Sequence, residues 1–328
     1  MGSFGFKQGT KSYSFQTEMG GIMHSNVSRR GFLGMSALSA VGVLGSRESN
    51  AVEPFKRTGA PRLELSMAAY SFRDNFAGGK LNAEKPLDMF QFIDYCAENG
   101  CAGAELTSYY FPKEPTDEYL IKVGRHAFLR GVAISGTAVG NNFALPKGEK
   151  RDEQIASVKK WIDRAAVLGA PHIRVFAGSA AAGLSEGDAR KLCIGALDEV
   201  SDYAGTKGIF LGLENHGEIV AELAGILEIV KDVKSAWLGI NLDTGNFHTE
   251  DPYTALAEIA PYAVNVQYKV EIKRKGSKEN EPSDMSRVIK LLRDANYQGW
   301  VALEYEAKED PWKAVPPMLK AMKAGFAG

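Results

Sequence analysis

The sequence predicts one α/β domain, a single (β/α)8 TIM barrel, and three observations carry that prediction. Short apolar runs alternate with longer amphipathic ones from Leu63 to Gly328. Eight such runs begin at residues 63, 102, 132, 172, 209, 237, 263 and 300, about 34 residues apart. That is the size of one β-α unit, and right-handed crossovers between such units build a parallel sheet. An open doubly wound sheet would carry a glycine-rich first turn, and Tyr70-Ser71-Phe72-Arg73 is not GxGxxG.

In chain order, strands are expected at Leu63–Tyr70, Ala102–Leu106, Val132–Thr137, His172–Phe176, Ile209–Glu214, Trp237–Asp243, Ala263–Gln267 and Trp300–Glu304. The helices between them announce their ends. Pro86–Asn99 stops at Gly100 and Arg151–Leu168 stops at Gly169, because glycine adopts the left-handed turn that closes a helix. Ser185-Glu186-Gly187-Asp188 reads as an N-terminal cap for a helix that runs to Lys207 before Gly208. The last helix starts near Pro311. Its Pro316-Pro317 pair should kink or restart it, since neither residue donates a backbone hydrogen bond.

Composition narrows the function classes. Of 328 residues, 45% are hydrophobic, which is enough for a large core and excludes global disorder. With 39 Lys+Arg against 40 Asp+Glu there is no basic field for gripping phosphates, so nucleic acid is not an expected partner. Cys96, Cys101 and Cys193 form neither a disulfide framework nor a zinc pattern and are expected as small buried hydrophobes.

Residues 1–51 are a different kind of chain. Ser28-Arg29-Arg30-Gly31-Phe32-Leu33 precedes a weakly apolar run, Gly34–Gly45, and Ser49-Asn50-Ala51 offers a small-x-small cleavage site. The segment resembles a twin-arginine leader. That resemblance implies the twin-arginine export machinery as a partner, a periplasmic location for the barrel of residues 52–328, and a first hint of a bound cofactor. A dozen apolar residues cannot span a bilayer, which takes ~20, so no stable membrane anchor is expected.

Strand alternation then separates what faces the helices from what faces the barrel. Leu211 and Leu213, Ile240 and Leu242, Val264 and Val266, and Val301 and Leu303 give one bulky apolar face. The opposite face carries Gly212 and Glu214, Asn241 and Asp243, Asn265, Gln267 and Lys269, then Ala302, Glu304 and Glu306. Its ends, Glu214, Asp243, Gln267 and Glu304, fall at the C-terminal mouth, where this fold keeps its active sites. Three converging carboxylates need compensation. Either a hard divalent ion such as Mn²⁺ or Mg²⁺ sits among them, or each acid ends its strand beside an Arg or Lys or reaches water.

At Leu213-Glu214-Asn215-His216, Leu242-Asp243-Thr244-Gly245-Asn246 and Leu303-Glu304-Tyr305-Glu306 the chain resembles a known superfamily. It is that of the sugar isomerases and epimerases with the xylose-isomerase-like barrel (AP endonuclease family 2-like). Ketose 3-epimerases, hydroxypyruvate isomerase and endonuclease IV also belong there. The likeness runs over residues 63–325. By position it implies Glu214, Asp243, Gln267 and Glu304 around one divalent metal, Mn²⁺ foremost and Mg²⁺, Co²⁺ or Zn²⁺ otherwise. It also implies that Glu214 and Glu304 move the proton. Two positions depart from the pattern: Gln267 stands where the family usually has a ligating His, and Asn246 where the epimerases tend to carry another His. Endonuclease IV needs several more histidines than His126, His172, His216 and His248.

The chemistry so implied is proton transfer beside a carbonyl of a small carbohydrate, through an enediolate stabilised by the metal. Return of the proton to the other face is epimerisation, and return to the neighbouring carbon is isomerisation. Loss of a substituent one carbon further on is elimination from a 3-keto-glycoside. Tyr70, Glu105, Asn141, Arg174, His216, Asn246 and Lys269 are expected to face the substrate, although Arg174 could instead neutralise Glu105. His248 could act from the sixth loop, and Phe111, Phe143 and Trp312 could wall a sugar face or pack in the core. Lys273–Lys278 reads as a solvated loop. A non-catalytic sugar-binding barrel is the reading from another class, and Gln267 is the residue that would favour it.

Overall fold

A computed structural model describes residues 52–80 and 86–328. The expected leader and its cleavage site lie outside the described residues. Eight parallel strands close into a barrel: β1 (Arg62–Ala68), β2 (Gly103–Thr107), β3 (Ala133–Ala138), β4 (His172–Val175), β5 (Phe210–Glu214), β6 (Leu238–Asp243), β7 (Ala263–Tyr268) and β10 (Gln298–Leu303). One helix follows each of them: α1 (Met89–Glu98), α2 (Asp117–Leu129), α3 (Glu149–Leu168), α4 (Glu186–Gly205), α5 (Leu223–Asp232), α6 (Pro252–Ile259), α7 (Met285–Asp294) and α8 (Pro311–Ala327). The predicted (β/α)8 barrel is therefore the observed one. Between β7 and α7, where the sequence predicts a solvated loop at Lys273–Lys278, a short antiparallel hairpin of β8 (Glu271–Ile272) with β9 (Glu281–Pro282) rises at the mouth.

Leu211, Leu213, Ile240, Leu242, Val266, Val301 and Leu303 are buried in the layer under the helices, as alternation requires. Cys96, Cys101 and Cys193 are buried and unpaired by disulfide. Below the strands, residues 52–61 close the base of the barrel. The Phe55 amide donates to Pro261 O, and its ring meets Phe210 edge-on at 5.8 Å. Arg57 lies between Phe55 and Tyr297, about 5 Å from each ring.

Two expectations are corrected. The first strand ends at Ala68, because Ala69–Phe72 turns as a 3-10 helix. The last helix continues through Pro316 and Pro317 rather than restarting. Its face of Val315, Leu319 and Met322 is buried, and burying three such side chains at ~1.5–3 kcal/mol each outweighs a broken backbone bond.

Candidate active site

Glu214 ends β5, Asp243 ends β6, Gln267 lies next to last in β7, and Glu304 follows β10. Each is at most 4% exposed. Protein cations already face the three acids. Arg174, from β4, brings Nε to 2.9 Å from Glu214 Oε2, and Asn246 Nδ2 donates to Glu214 Oε1 at 3.0 Å. Lys269, just past β7, sets Nζ 2.5 Å from Glu304 Oε2, 3.4 Å from Asp243 Oδ2, and against the Glu306 carboxylate. Arg174 thus pairs with Glu214 rather than with Glu105. It also donates to Val139 O at 2.8 Å and lies over the Phe176 ring at 3.9 Å, so it is locked in place.

Glu105 sits deeper, fully buried in β2, where a ring of amides holds it. Gln267 Nε2 donates to Glu105 Oε1 at 2.7 Å, and Asn265 Nδ2 donates to Glu105 Oε2 at 2.7 Å and to Asn241 Oδ1 at 2.8 Å. Asn241 Nδ2 closes the ring onto Gln267 Oε1 at 2.6 Å. Both Glu105 oxygens accept amide N–H groups here, Gln267 Nε2 among them. The Gln267 oxygen is consequently turned to Asn241.

The electrostatics differ from one acid to the next. Burial pushes Glu214 up to about 7 against the pull of Arg174, with Glu304 adding to the rise. Burial acts on Glu304 too, but the Lys269 ammonium, its hydrogen bond and Arg174 hold it below the ordinary carboxylate range. Burial raises Asp243 well above that range in spite of Lys269. Glu105 rises to about 7 through burial and the nearby Glu304 charge. The buried Lys269 stays firmly protonated because Asp243, Glu304 and Glu306 outweigh its burial.

Other expected substrate contacts fall at the rim or away from it. His216 is exposed with its ring 4.7 Å from Phe176, and its basicity is lowered by partial burial and Arg174. Tyr70 is half-buried under the Arg73 guanidinium, 5.3 Å from its ring. The Asn141 amide is engaged on both sides by the Phe176 backbone, at 2.7 and 2.9 Å, and pins two strand ends together. Phe111 and Phe143 are core residues. Trp312 is 43% exposed and lines a cleft of about 490 Å³ with Ser71, Arg73 and Tyr305. A second cleft, about 240 Å³, runs beside the site between Asn246, His248, Lys269, Glu306 and the β8–β9 hairpin. Sequence reasoning left Asn241, Asn265 and Glu306 without a role, although their strand parity already set them on the inner face.

The resemblance implies a divalent ion among these donors. Among the described residues no three His, Cys, Asp or Glu side chains converge as ligands of one ion. Both Glu214 oxygens and the Gln267 oxygen have protein partners, no imidazole stands among the four positions, and an ammonium lies between Asp243 and Glu304. Asp243 Oδ2 has no hydrogen bond, its nearest cation being Lys269 Nζ at 3.4 Å. This arrangement does not fit a divalent ion.

The family model for the xylose isomerase-like TIM barrel matches residues 93–322. The chain belongs to that family. No curated protein matches it significantly. Among solved structures it is similar to D-psicose 3-epimerase determined in the presence of D-fructose, at 17% identity and a TM-score of 0.63, over 80% of this chain and 97% of that one. It is similar to the IolI protein with a bound zinc atom, at 17% identity and a TM-score of 0.64, over 80% and 96%. It is also similar to the 3-keto-D-glucoside 4-epimerase YcjR of E. coli, at 17% identity and a TM-score of 0.61, over 80% and 100%. At these identities the likeness establishes the xylose isomerase-like fold.

Proposed function

We propose that this xylose isomerase-like barrel is an isomerase or epimerase that moves a proton on a carbon next to the carbonyl of a keto-sugar. One observation carries the reading. Two buried glutamates, Glu214 and Glu304, end strands at the barrel mouth, and each is held by its own fixed cation. Fixed carboxylates beside a sugar-sized cleft can take and return a proton without reorganising, which is what general acid–base catalysis needs. Glu304, held ionised, is the base, and Glu214, whose burial favours its proton, is the acid. The names of the solved relatives, two of them sugar epimerases, support the same reaction class.

The resemblance of residues 1–51 to a twin-arginine leader supports a reaction outside the cytoplasmic membrane. Free keto-sugars and 3-keto-glycosides are then more accessible substrates than sugar phosphates. Incubation of the enzyme with such sugars in D2O, followed by proton NMR, should show product or deuterium at the carbon beside the carbonyl. Glu304→Gln should slow this by about 10²–10⁴-fold. Absence of both signals across ketohexoses and 3-keto-glycosides would overturn the reading. Release of an aglycone would move it to elimination, which begins with the same proton removal.

A further inference from the structure

Proton removal beside a carbonyl leaves negative charge on oxygen, and something cationic must receive it. We propose that the ammonium of Lys269 is that group, standing in the place of a divalent metal and making this a metal-independent member of its family. The inference rests on the keto-sugar reading above and adds the electrophile that it lacks.

Three observations place the ammonium. The lysine's backbone is clamped: its N–H donates to Thr244 Oγ1 at 2.8 Å, and the Thr244 N–H donates to Gln267 O at 3.0 Å. Its stem lies over Gly245, where an added Cβ would come within 2.7 Å of Lys269 Cγ and 2.9 Å of Lys269 Cβ. Only a residue without a side chain leaves that channel open. Its tip lies among three carboxylates, against Glu306, 2.5 Å from Glu304 Oε2 and 3.4 Å from Asp243 Oδ2. The position expected to supply an imidazole ligand holds Gln267 instead, with its oxygen turned to Asn241.

Of the three carboxylates Glu306 is the replaceable one. Its side chain is 37% exposed and lines the cleft beside the site, while Asp243 and Glu304 are buried. A substrate carbonyl oxygen entering from that cleft takes the donor that Glu306 holds. Glu304 then removes the neighbouring C–H proton. The C–H electron pair becomes the C=C bond, and the carbonyl π pair moves onto oxygen, where the Lys269 N–H stabilises it without giving up its proton. Reprotonation of carbon by the Glu214 carboxyl on the opposite face yields the epimer. Glu214 has then lost one proton and Glu304 gained one, and exchange with water resets both.

Metal binding and catalysis give separate tests. The full-length protein is stripped with EDTA and titrated with MnCl2 while the electron spin resonance signal of free Mn²⁺ is followed. Proton exchange on the keto-sugar is measured before and after stripping. Wild type should leave the free Mn²⁺ signal undiminished and keep its exchange rate within twofold. Lys269→Met should lose about 10²–10³-fold in rate and, with its acids uncompensated, should take up more Mn²⁺ than wild type. One Mn²⁺ bound per wild-type chain, with activity lost in EDTA and restored by the ion, would overturn the proposal, and this arm needs no variant to fold. Exchange by Lys269→Met at the wild-type rate would also overturn it. If no sugar reacts with wild type, the keto-sugar reading and the electrophile role fall together. The Mn²⁺ titration still decides whether the ammonium holds the ion's place.

Discussion

Gln267, next to last in β7, and Lys269, just past its end, lie two residues apart, and the structure gives them opposite work. The amide turns inward and ties Glu105 to Asn241, while the ammonium turns to the acids at the mouth. Alternation alone could assign both to the inner face but not separate their depths. The same limit hid the pairing of Arg174, because an arginine on β4 can reach either Glu105 or Glu214, and only the packed distances choose. Beneath these residues His172 is buried between β3 and β5, where Gly136 and Gly212 leave it space. A Cβ on Gly212 would lie 2.4 Å from His172 Nε2 and 3.1 Å from the Asn241 backbone nitrogen. Gly212→Ala should therefore destabilise the barrel by about 1–3 kcal/mol, read as a lower urea midpoint. An unchanged midpoint would show that the ring can move aside at no cost.

The helices hold the strand ends that carry the acids, and their ends are set by local chemistry that can be read from the sequence. Asp88 caps α1: its carboxylate accepts the Gln91 N–H at 2.9 Å, and the Gln91 side chain accepts the Asp88 N–H at 3.0 Å. Asp88→Ala should cost about 1 kcal/mol and leave the catalytic rate unchanged, since α1 packs outside the barrel. A fall in rate without a fall in stability would contradict that assignment. Gly169, at φ +84°, ends α3 in the left-handed conformation expected of it, and Ser185 caps α4 by accepting the Asp188 N–H at 3.1 Å. Pro316 and Pro317 went the other way. The local rule predicts a kink or a restart, and the helix does not restart because the buried face of α8 makes continuity the lower-energy outcome.

For the molecule as a whole, the polar interior of the barrel should set how stability responds to acid. Burial, helped by Arg174, lowers His172 from 6.5 to about 3, so the folded state keeps the ring neutral. Between those values the unfolded chain binds the proton that the native one refuses. Stability present above pH 6.5 is then lost as pH falls, at up to ~1.4 kcal/mol per unit. Urea midpoints of wild type and His172→Leu should diverge in favour of the variant as pH drops from 6.5 towards 4. A constant gap would refute the burial argument. Among the described residues no helix is long and apolar enough to cross a membrane. The order of strands and helices, the closed barrel and the inner position of Glu214, Asp243 and Glu304 were all legible in the linear chain. Periodicity and end signals act between near neighbours, and the chain records them directly. Which cation answers each acid, which amide is already engaged and whether the donors converge on an ion were decided only by the folded barrel. These depend on distances of a few ångströms between residues up to 162 positions apart, such as Gln267 and Glu105, and no local pattern encodes them.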